Sequence, residues 1–417
     1  MPDVSVLEVL LHGEPIATLT RLSGDRSVFA FNDSYVENKR RPVLSLHFKD
    51  ELGELLTEFR ATKTRVLPYF ANLLPEGHMR NYLAERAGVK PQREFFLLWV
   101  LGADLPGAIT VQPADGEAWP PDDDDSDDHH EDDRRENALR FSLAGVQLKF
   151  SAVNDARGGL TIPAKGIGGS WIVKLPSTQH EAVPENEFSM MTLARKIGMN
   201  VPNIDLVDVT AIDNLPDGIG TLKGQALAVE RFDREPDGPS VHIEDFAQVF
   251  GVYPEEKYKK ASYSNIAEVI GAEGGDNDIV EFVRRLTFNF LIGNADMHLK
   301  NWSLIYPDRR TAALAPAYDF VSTIVYLPDD KAALNVSRTK RFNQFTEDEL
   351  SRLAARARLP EALVLDTARE TVALFHEYWG AEKAHLPLSA DVVAAIEAHL
   401  ETVPLAQGEA VTSALRV

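Results

Sequence analysis

A nine-residue segment, Gly293–Asn301, follows an apolar stretch that ends at Ile292 and is dense in groups able to do chemistry. In it Asp296 is followed by Lys300 and then by Asn301. A carboxylate can orient a hydroxyl group and accept its proton, an amide oxygen can bind a divalent cation, and an ammonium group can steady a phosphate. Because phosphoryl transfer depends on positioning and charge rather than on covalent work by the protein, these groups are an adequate set for it.

The spacing from Asp296 to Asn301 equals that of the catalytic loop of protein kinases, in which the aspartate orients the substrate hydroxyl and the asparagine holds magnesium. Asp319 stands where a kinase keeps its metal-binding Asp-Phe-Gly, although Val321 replaces the glycine. Asn301 and Asp319 could supply the oxygen ligands that magnesium prefers. The alternative interpretation is that Asn294, Asp296 and Asn301 are turn and cap residues, and that Asp319 caps a helix.

Three further positions are candidates for a nucleotide site. Lys174 ends an apolar run and resembles the strand lysine that binds the α- and β-phosphates; the alternative is an edge-strand lysine that faces water. Glu187, on the next predicted helix, is the natural partner of that lysine or else a solvated glutamate. Glu230–Arg234 ends another apolar strand, where backbone groups could pair with adenine, or where the side chains form a structural ion-pair cluster.

Periodicity places these residues on predicted elements. Strands are predicted at residues 4–11, 43–48, 161–162, 171–175, 203–209, 226–229 and 302–306, and helices at 81–87, 185–197, 244–250, 278–292, 348–355, 363–379 and 390–400. Strands with one helix, followed by a larger helical part, are the order in which a protein kinase lays out its lobes.

The predicted fold class is therefore α+β, a two-lobed protein-kinase-like fold with an N-terminal β-rich subdomain and a mainly helical C-terminal lobe. The predicted domains are an α+β subdomain at 1–112, an acidic linker at 113–139, a kinase-like N-lobe core at 140–232 and a helical lobe at 233–417. The linker carries nine carboxylates and no Lys or Arg between Asp122 and Asp133, so it repels itself.

Composition narrows the classes of function. Apolar residues make up 44% of the 417 and charged residues 26%, as in soluble proteins, and no apolar run approaches the length of a membrane span. The absence of cysteine excludes disulfides and thiolate chemistry, and with no signal-peptide pattern it predicts a cytoplasmic protein. A net charge of −21 argues against direct DNA binding by this chain. Any contact with DNA would come from a basic partner.

With these pieces in order, the chain resembles the HipA family of toxin kinases over nearly its whole length. The segments that carry the resemblance are Ser142–Lys149, Ile172–Pro176, Ala228–Arg234, Asp296–Asn301 and Tyr318–Asp319, together with Asn72–Pro75 and Gly107–Thr110 near the N-terminus. Several separate motifs in the correct order make a chance match improbable.

The resemblance implies ATP and Mg²⁺ as cofactors and a set of site residues. Asp296 is implied as the catalytic base, assisted by Lys300, and Asn301 and Asp319 as the metal ligands. The implied ATP-binding residues are Ala144, Gly145, Val146, Gln147, Leu148, Lys149, Lys174, Glu230, Arg231, Phe232, His298, Asn301 and Tyr318. The 144–149 loop would cover the phosphates with backbone N–H groups in place of a glycine-rich hairpin.

The resemblance also implies regulation and partners. Ser142 matches the serine at which family members phosphorylate themselves, which ejects the nearby loop from a site built for phosphate. The substrate in the family is typically an aminoacyl-tRNA synthetase, such as glutamyl-tRNA synthetase, so that phosphorylation inhibits translation and growth and favours persistence. A small helix-turn-helix antitoxin, HipB, would neutralise the toxin and read the operator DNA, which the kinase would meet only indirectly.

Two other functions stay open at this point. A kinase-like scaffold or co-repressor would bind the DNA-binding antitoxin with negligible transfer activity, although Lys174, Asp296, Asn301 and Asp319 favour an enzyme. A kinase for small molecules is a third possibility, and the Ser142–Lys149 motif disfavours it.

Overall fold

The computed structural model describes residues 5–114, 149–154, 160–162, 168–177, 179–215, 222–235, 238–328 and 330–408. The chain divides into two compact units that each use several chain segments. The first unit comprises Met1–Leu175, Val207–Pro254 and Ile305–Arg310, and the second comprises Pro176–Leu206, Glu255–Leu304 and Thr311–Val417.

The first unit begins with a five-stranded antiparallel sheet of order β4-β3-β2-β1-β5. Its strands are β1 (Ser5–Leu11), β2 (Glu14–Leu22), β3 (Arg26–Phe31), β4 (Thr62–Lys63) and β5 (Ile109–Pro113). Alternation along β1 buries Leu7, Val9 and Leu11 on one face, as expected when one side of a sheet covers a core. The connections between these strands contain the helices α1 (Asp33–Glu37), α2 (Pro68–Ala71), α3 (Gly77–Arg86) and α4 (Glu94–Leu101).

A second sheet of six strands has the order β10-β7-β6-β8-β11-β9. Its strands are β6 (Lys149–Asn154), β7 (Leu160–Thr161), β8 (Trp171–Lys174), β9 (Ile204–Asp208), β10 (Ile212–Asp213) and β11 (Gln225–Glu230). The apolar faces of both sheets and of α4 share one core cluster, so the first unit is held by a single hydrophobic interior. The unit also contains β12 (His242–Asp245) and α6 (Phe246–Val249), the latter started by a capping box between Asp245 and Gln248.

The second unit is mainly helical. Its helices are α5 (Val183–Lys196), α7 (Tyr263–Glu273), α8 (Asp276–Leu291), α9 (Glu347–Ala357), α10 (Glu361–Glu382) and α11 (Ala390–Leu400). Helix α8 lies at its centre: Phe288 packs against Phe320 and Phe375, and Phe290 stacks on Phe345 with ring centroids 4.0 Å apart. Each such buried ring contributes roughly 2–3 kcal/mol of transfer free energy. Strands β13 (Ser303–Tyr306) and β14 (Ala313–Leu314) follow α8 in the chain. The second half of β13, from Ile305, is assigned to the first unit.

One predicted strand was wrong, and one predicted helix was right only in part. Residues 43–48 form no strand, because Ser45 caps a 3₁₀ helix, Leu46–Phe48, by accepting the N–H of His47. The predicted helix 244–250 starts later, since residues 242–245 are strand β12 and only Phe246–Val249 is helical. Among the described residues, no helix is long and apolar enough to cross a membrane.

Candidate active site

The segment that follows α8 turns sharply at Gly293. The backbone of Gly293 is left-handed, with φ of +66°, and a Cβ there would lie 2.6 Å from Ile324. Both conditions require glycine. The carbonyl of Gly293 accepts the hydroxyl of Thr323, and the N–H of Ala295 donates to that same hydroxyl oxygen at 2.7 Å. The loop therefore begins from a fixed and buried point.

Asn294, whose residue is 1% exposed, organises this loop. Its Oδ1 accepts the N–H of Asp296 at 3.0 Å, and its Nδ2 donates to Asn289 Oδ1 at 2.8 Å and to the carbonyl of Asp319 at 3.2 Å. The side chain thus joins helix α8, the backbone of Asp296 and the backbone of Asp319. The turn interpretation of Asn294 is confirmed, and this turn brings two of the candidate residues together.

The side chain of Asp296 is 55% exposed although its backbone is fixed. Its Oδ1 accepts the hydroxyl of Tyr258 at 2.5 Å and lies 3.9 Å from Nε2 of His298. The rings of Tyr258 and His298 meet edge to face, with centroids 5.0 Å apart. One carboxylate oxygen is thus held by a tyrosine, which fixes the direction of the other.

Asn301 and Lys300 are positioned by the same loop. Nδ2 of Asn301 donates to the carbonyl of Asp296 at 2.8 Å, which leaves its Oδ1 as the amide atom able to bind a cation. The hydroxyl of Tyr318 donates to the carbonyl of Lys300 at 2.9 Å and also bonds Oγ of Ser303. Hydrogen bonds therefore join Asp296, Asn301 and Asp319 in one group and Lys300, Ser303 and Tyr318 in a second group on the same loop.

Asp319 has a left-handed backbone, with φ of +59°. That conformation costs a residue with a Cβ about 1 kcal/mol or more and is frequent at functional sites. Asp319 does not cap the next helix: the 3₁₀ helix Thr323–Val325 has Ser322 at its N-cap position. Phe320, 1% exposed, anchors the segment on Phe288. The helix-cap alternative for Asp319 is therefore wrong.

In the first unit, Lys174 and Lys149 are direct register partners on β8 and β6. Strand β8 lies between β6 and β11, and Lys174 is 6% exposed, so the edge-strand interpretation of this lysine is wrong. In the second unit, Glu187 on α5 is 2% exposed, so it is not a solvated glutamate. Burial of charged side chains of this kind requires charged or hydrogen-bonding partners.

The segment Glu230–Arg234 contains a buried ion-pair cluster. The guanidinium of Arg231 donates to both carboxylate oxygens of Asp233, at 3.0 and 2.9 Å, and pairs with Asp104 at 3.3 Å. Arg234 bonds the same two aspartates at 2.8 and 3.0 Å. The structural interpretation of these side chains is confirmed, while the roles of Glu230, Arg231 and Phe232 in ATP binding stay predictions.

Residues 142–148, which include Ser142 and the predicted phosphate-covering residues, lie outside the described residues, as does the acidic run 122–133. Sequence reasoning missed Tyr258 altogether and gave Asn294 no role beyond a turn. The signal for Asn294 was present, because an asparagine two positions before an aspartate is typical of a turn in which the asparagine accepts that residue's N–H.

Family models match most of the chain. Residues 7–112 match the HipA N-terminal domain, and residues 141–379 match the HipA-like C-terminal domain. The chain belongs to the HipA family. It is 60% identical over 408 residues to the Sinorhizobium fredii protein named "Putative kinase Y4dM", covering 97% of this chain and 98% of that protein.

Two further comparisons are with HipA proteins of Shewanella oneidensis. The chain is 28% identical over 300 residues to the serine/threonine-protein kinase toxin HipA of Shewanella oneidensis, covering 64% of this chain and 65% of that protein. The HipA fold is also shared with a solved toxin-antitoxin complex of HipA, HipB and operator DNA from Shewanella oneidensis. That match has a TM-score of 0.70 and 23% identity, and covers 97% of this chain and 100% of the solved one. The α+β, kinase-like fold class is thereby confirmed.

Proposed function

We propose that this HipA-family chain is an ATP- and magnesium-dependent serine/threonine protein kinase that acts as the toxin of a toxin-antitoxin module. The observation that carries the proposal is the bond from Nδ2 of Asn294 to the carbonyl of Asp319, which ties the Asp296 loop to the second candidate carboxylate. Spacing in the sequence could place each carboxylate in a kinase motif, and this tertiary contact supports assigning both carboxylates to one site.

In the proposed reaction Asp296 orients the hydroxyl of the substrate serine or threonine and accepts its proton as the oxygen attacks the γ-phosphorus. The bond between that phosphorus and the β,γ-bridging oxygen breaks, and ADP leaves. The carboxylate of Asp296 is 55% exposed, which supports its access to a substrate hydroxyl. Lys300 would balance charge on the transferred group.

Magnesium fits the donor set of the second unit. Asn301 offers an amide oxygen, since its Nδ2 is committed to the carbonyl of Asp296, and Asp319 offers a carboxylate. Two oxygen donors with phosphate oxygens and waters are the usual surroundings of this ion. When bound, magnesium would neutralise phosphate charge.

For ATP we propose contacts from the side chains of Lys149 and Lys174, from the backbone of Glu230, Arg231 and Phe232, and from the 144–148 loop, in addition to His298, Asn301 and Tyr318. The two lysines support this assignment because β6 and β8 hold them side by side on neighbouring strands. Paired cations of this kind suit the α- and β-phosphates.

We further propose a HipB-like helix-turn-helix antitoxin as partner, DNA contact only through it, and an aminoacyl-tRNA synthetase as the protein substrate. The likeness to the HipA, HipB and operator DNA complex supports the antitoxin. The cytoplasmic location, autophosphorylation at Ser142 and the domain boundaries after residues 112, 139 and 232 are parts of the same proposal.

The test is the intact mass and phosphopeptide map of the wild type and of Asp296→Ala after incubation with magnesium and ATP. We expect one added phosphate, at Ser142, in the wild type alone. ATP binding without transfer in either protein would contradict the kinase and favour a scaffold that binds the antitoxin. Transfer to a metabolite but to no protein would favour a small-molecule kinase.

A further inference from the structure

A cleft of about 390 Å³ opens in the first unit beside the hairpin that joins β1 to β2, and the proposed kinase chemistry makes no use of it. Its walls come from that hairpin, from residues 34–42 and from residues 308–310. The cationic side chains that line it are Arg40, Arg309 and Arg310, beside the imidazole of His12.

The three arginines are exposed, and in the described part of the chain none of them forms an ion pair. This is unexpected in a chain with 64 acidic and 43 basic residues. Of the two carboxylates in the cleft wall, Asp308 already accepts the N–H of Arg310 at 2.8 Å, and Glu14 is the other. Burial, and after it the charge of Arg309, lowers the pKa of His12, so its imidazole is neutral near pH 7 and the three arginines carry the positive charge of the cleft. Gathering like charges costs free energy unless an anion offsets it.

Backbone strain is concentrated at the same place. His12 and Arg309, with φ of +53° and +69°, are two of the eight described residues other than glycine that adopt positive φ. Such a conformation costs about 1 kcal/mol or more per residue and is found where surrounding structure imposes it. Hydrogen bonds do so: the N–H of His12 donates to Ala108, and the carbonyl of Arg309 accepts the N–H of Val43, both at 2.8 Å. His12 lies in the two-residue turn that joins β1 to β2, a position that ordinarily has positive φ, so the backbone that carries both side chains is fixed.

We propose that this cleft binds a phosphate monoester. A guanidinium presents a planar set of donors that matches phosphate oxygens, and a monoester carries close to two negative charges for the arginines to offset. Ser34 and Asn38 add neutral polar groups to the wall. The cleft has more room than a phosphate ion fills, and Leu11 and Ile16 line the remainder, so the ligand carries an organic part. A long nucleic acid is disfavoured by the net charge of −21.

Calorimetric titration with phenyl phosphate tests this site in the full-length protein. Magnesium and a non-hydrolysable ATP analogue are kept in excess, so that any kinase site is occupied and the result does not depend on the proposed function. We expect binding with a dissociation constant on the order of 1 mM or below, with inorganic phosphate no tighter. Arg309→Gln and Arg40→Gln should each weaken it about tenfold or more, because a charge-assisted hydrogen bond is lost.

The matched control is Arg352→Gln, which removes an exposed arginine that is paired with Asp348 in helix α9. This variant should bind phenyl phosphate as the wild type does. The proposal is overturned by the absence of binding at about 10 mM ligand, or by equal affinity of the wild type and the cleft variants. If Arg309→Gln fails to fold, the affinity of Arg40→Gln for phenyl phosphate decides whether the proposal holds. Arg40 is exposed and its φ is not positive, so this variant should fold.

Discussion

The ion-pair cluster of the first unit and the Asp296 loop of the second unit use carboxylates in opposite ways. In the cluster, the side chains of Arg231, Asp104 and Asp233 are 1%, 4% and 6% exposed. In the loop, the backbone around Asp296 is fixed by Asn294 and Asn301, while the carboxylate itself is 55% exposed.

This difference is the one expected between a structural role and the chemical role that we propose for Asp296. In the cluster, burial works against ionisation of Asp233, but the charges of Arg231 and Arg234 hold its pKa below the ordinary value. Its oxygens are committed to protein donors, which include the N–H of Gly107 at 2.8 Å. A carboxylate that is fixed yet open to solvent, like that of Asp296, can instead meet a substrate. Between these two groups of carboxylates, the exposure of the side chain, and not its charge, distinguishes the one that can meet a substrate.

Asp319→Asn is expected to have the largest effect. An amide at this position replaces a charged metal ligand, so phosphoryl transfer should fall about 10³-fold or more, equivalent to ~4 kcal/mol of barrier. Asparagine tolerates the left-handed backbone that Asp319 adopts, so the free energy of unfolding should change by less than about 0.5 kcal/mol. Single-turnover kinetics with urea unfolding measure both quantities.

The control for this variant is Asp319→Ala, which removes the same ligand but disfavours the positive φ. It should be as inactive and less stable by about 1 kcal/mol. Normal transfer by Asp319→Asn would remove this residue from the site.

Asp233→Ala should have the opposite effect, because it should lower the free energy of unfolding strongly and phosphoryl transfer little. It leaves the guanidinium of Arg231 buried with only Asp104 as its partner, and breaking a buried pair in this way costs about 3 kcal/mol or more. The free energy of unfolding is measured by urea titration, and transfer activity is measured below the midpoint. A variant as stable as the wild type would contradict the structural role. Strong loss of activity in fully folded protein would instead assign this cluster to the nucleotide site.

Features contained within one short segment could be predicted from the sequence. Contacts between residues far apart in the sequence could not. The Asp296-to-Asn301 spacing is contained in one loop, so a pattern could identify it. The contacts of Asp296 with Tyr258 and of Asn294 with Asp319 join residues 38 and 25 positions apart, and no spacing rule predicts them. The strand predicted at 43–48 failed for the same reason. Its alternation is genuine, but Ser45 bonds Glu244, 199 positions away, and caps a turn of 3₁₀ helix.

Glu244 gives a pH-dependent test of the first unit. Burial raises its pKa to about 7, although Ser45, Tyr306 and the N–H of Leu46 all donate to it. Between the unfolded value near 4.5 and about 7, the folded protein keeps a proton that the unfolded chain has released. Its contribution to stability therefore falls as pH rises through this window, by about 3 kcal/mol in all.

Urea unfolding at pH 5 and pH 8, for the wild type and for Glu244→Gln, measures this contribution. The difference in unfolding free energy between the two proteins should change by about 2 kcal/mol between the two pH values, since glutamine does not titrate. Glu347→Gln, at an exposed carboxylate with a lowered pKa, should give no such change in that window. A constant difference for Glu244→Gln would show that Glu244 is already ionised at pH 5 in the folded protein.

The smallest effect is expected from Tyr258→Phe, which removes the hydroxyl that bonds Oδ1 of Asp296 and keeps the ring against His298. Without this donor the carboxylate of Asp296 can rotate, and its ionised form loses a hydrogen bond. We therefore expect kcat to fall about threefold to tenfold with KM for ATP unchanged, and the acidic limb of the kcat profile to move to higher pH.

Steady-state kinetics across pH distinguish this positioning role from a structural one. A tyrosine that only supported the fold would lower the concentration of active enzyme, and kcat would then drop equally at every pH. Tyr263→Phe is the comparison, because its buried hydroxyl bonds the carbonyl of Met297 in the same loop but does not reach the carboxylate. If both variants gave parallel pH profiles, Tyr258 would be a part of the scaffold, and the exposed carboxylate of Asp296 would be positioned by its backbone alone.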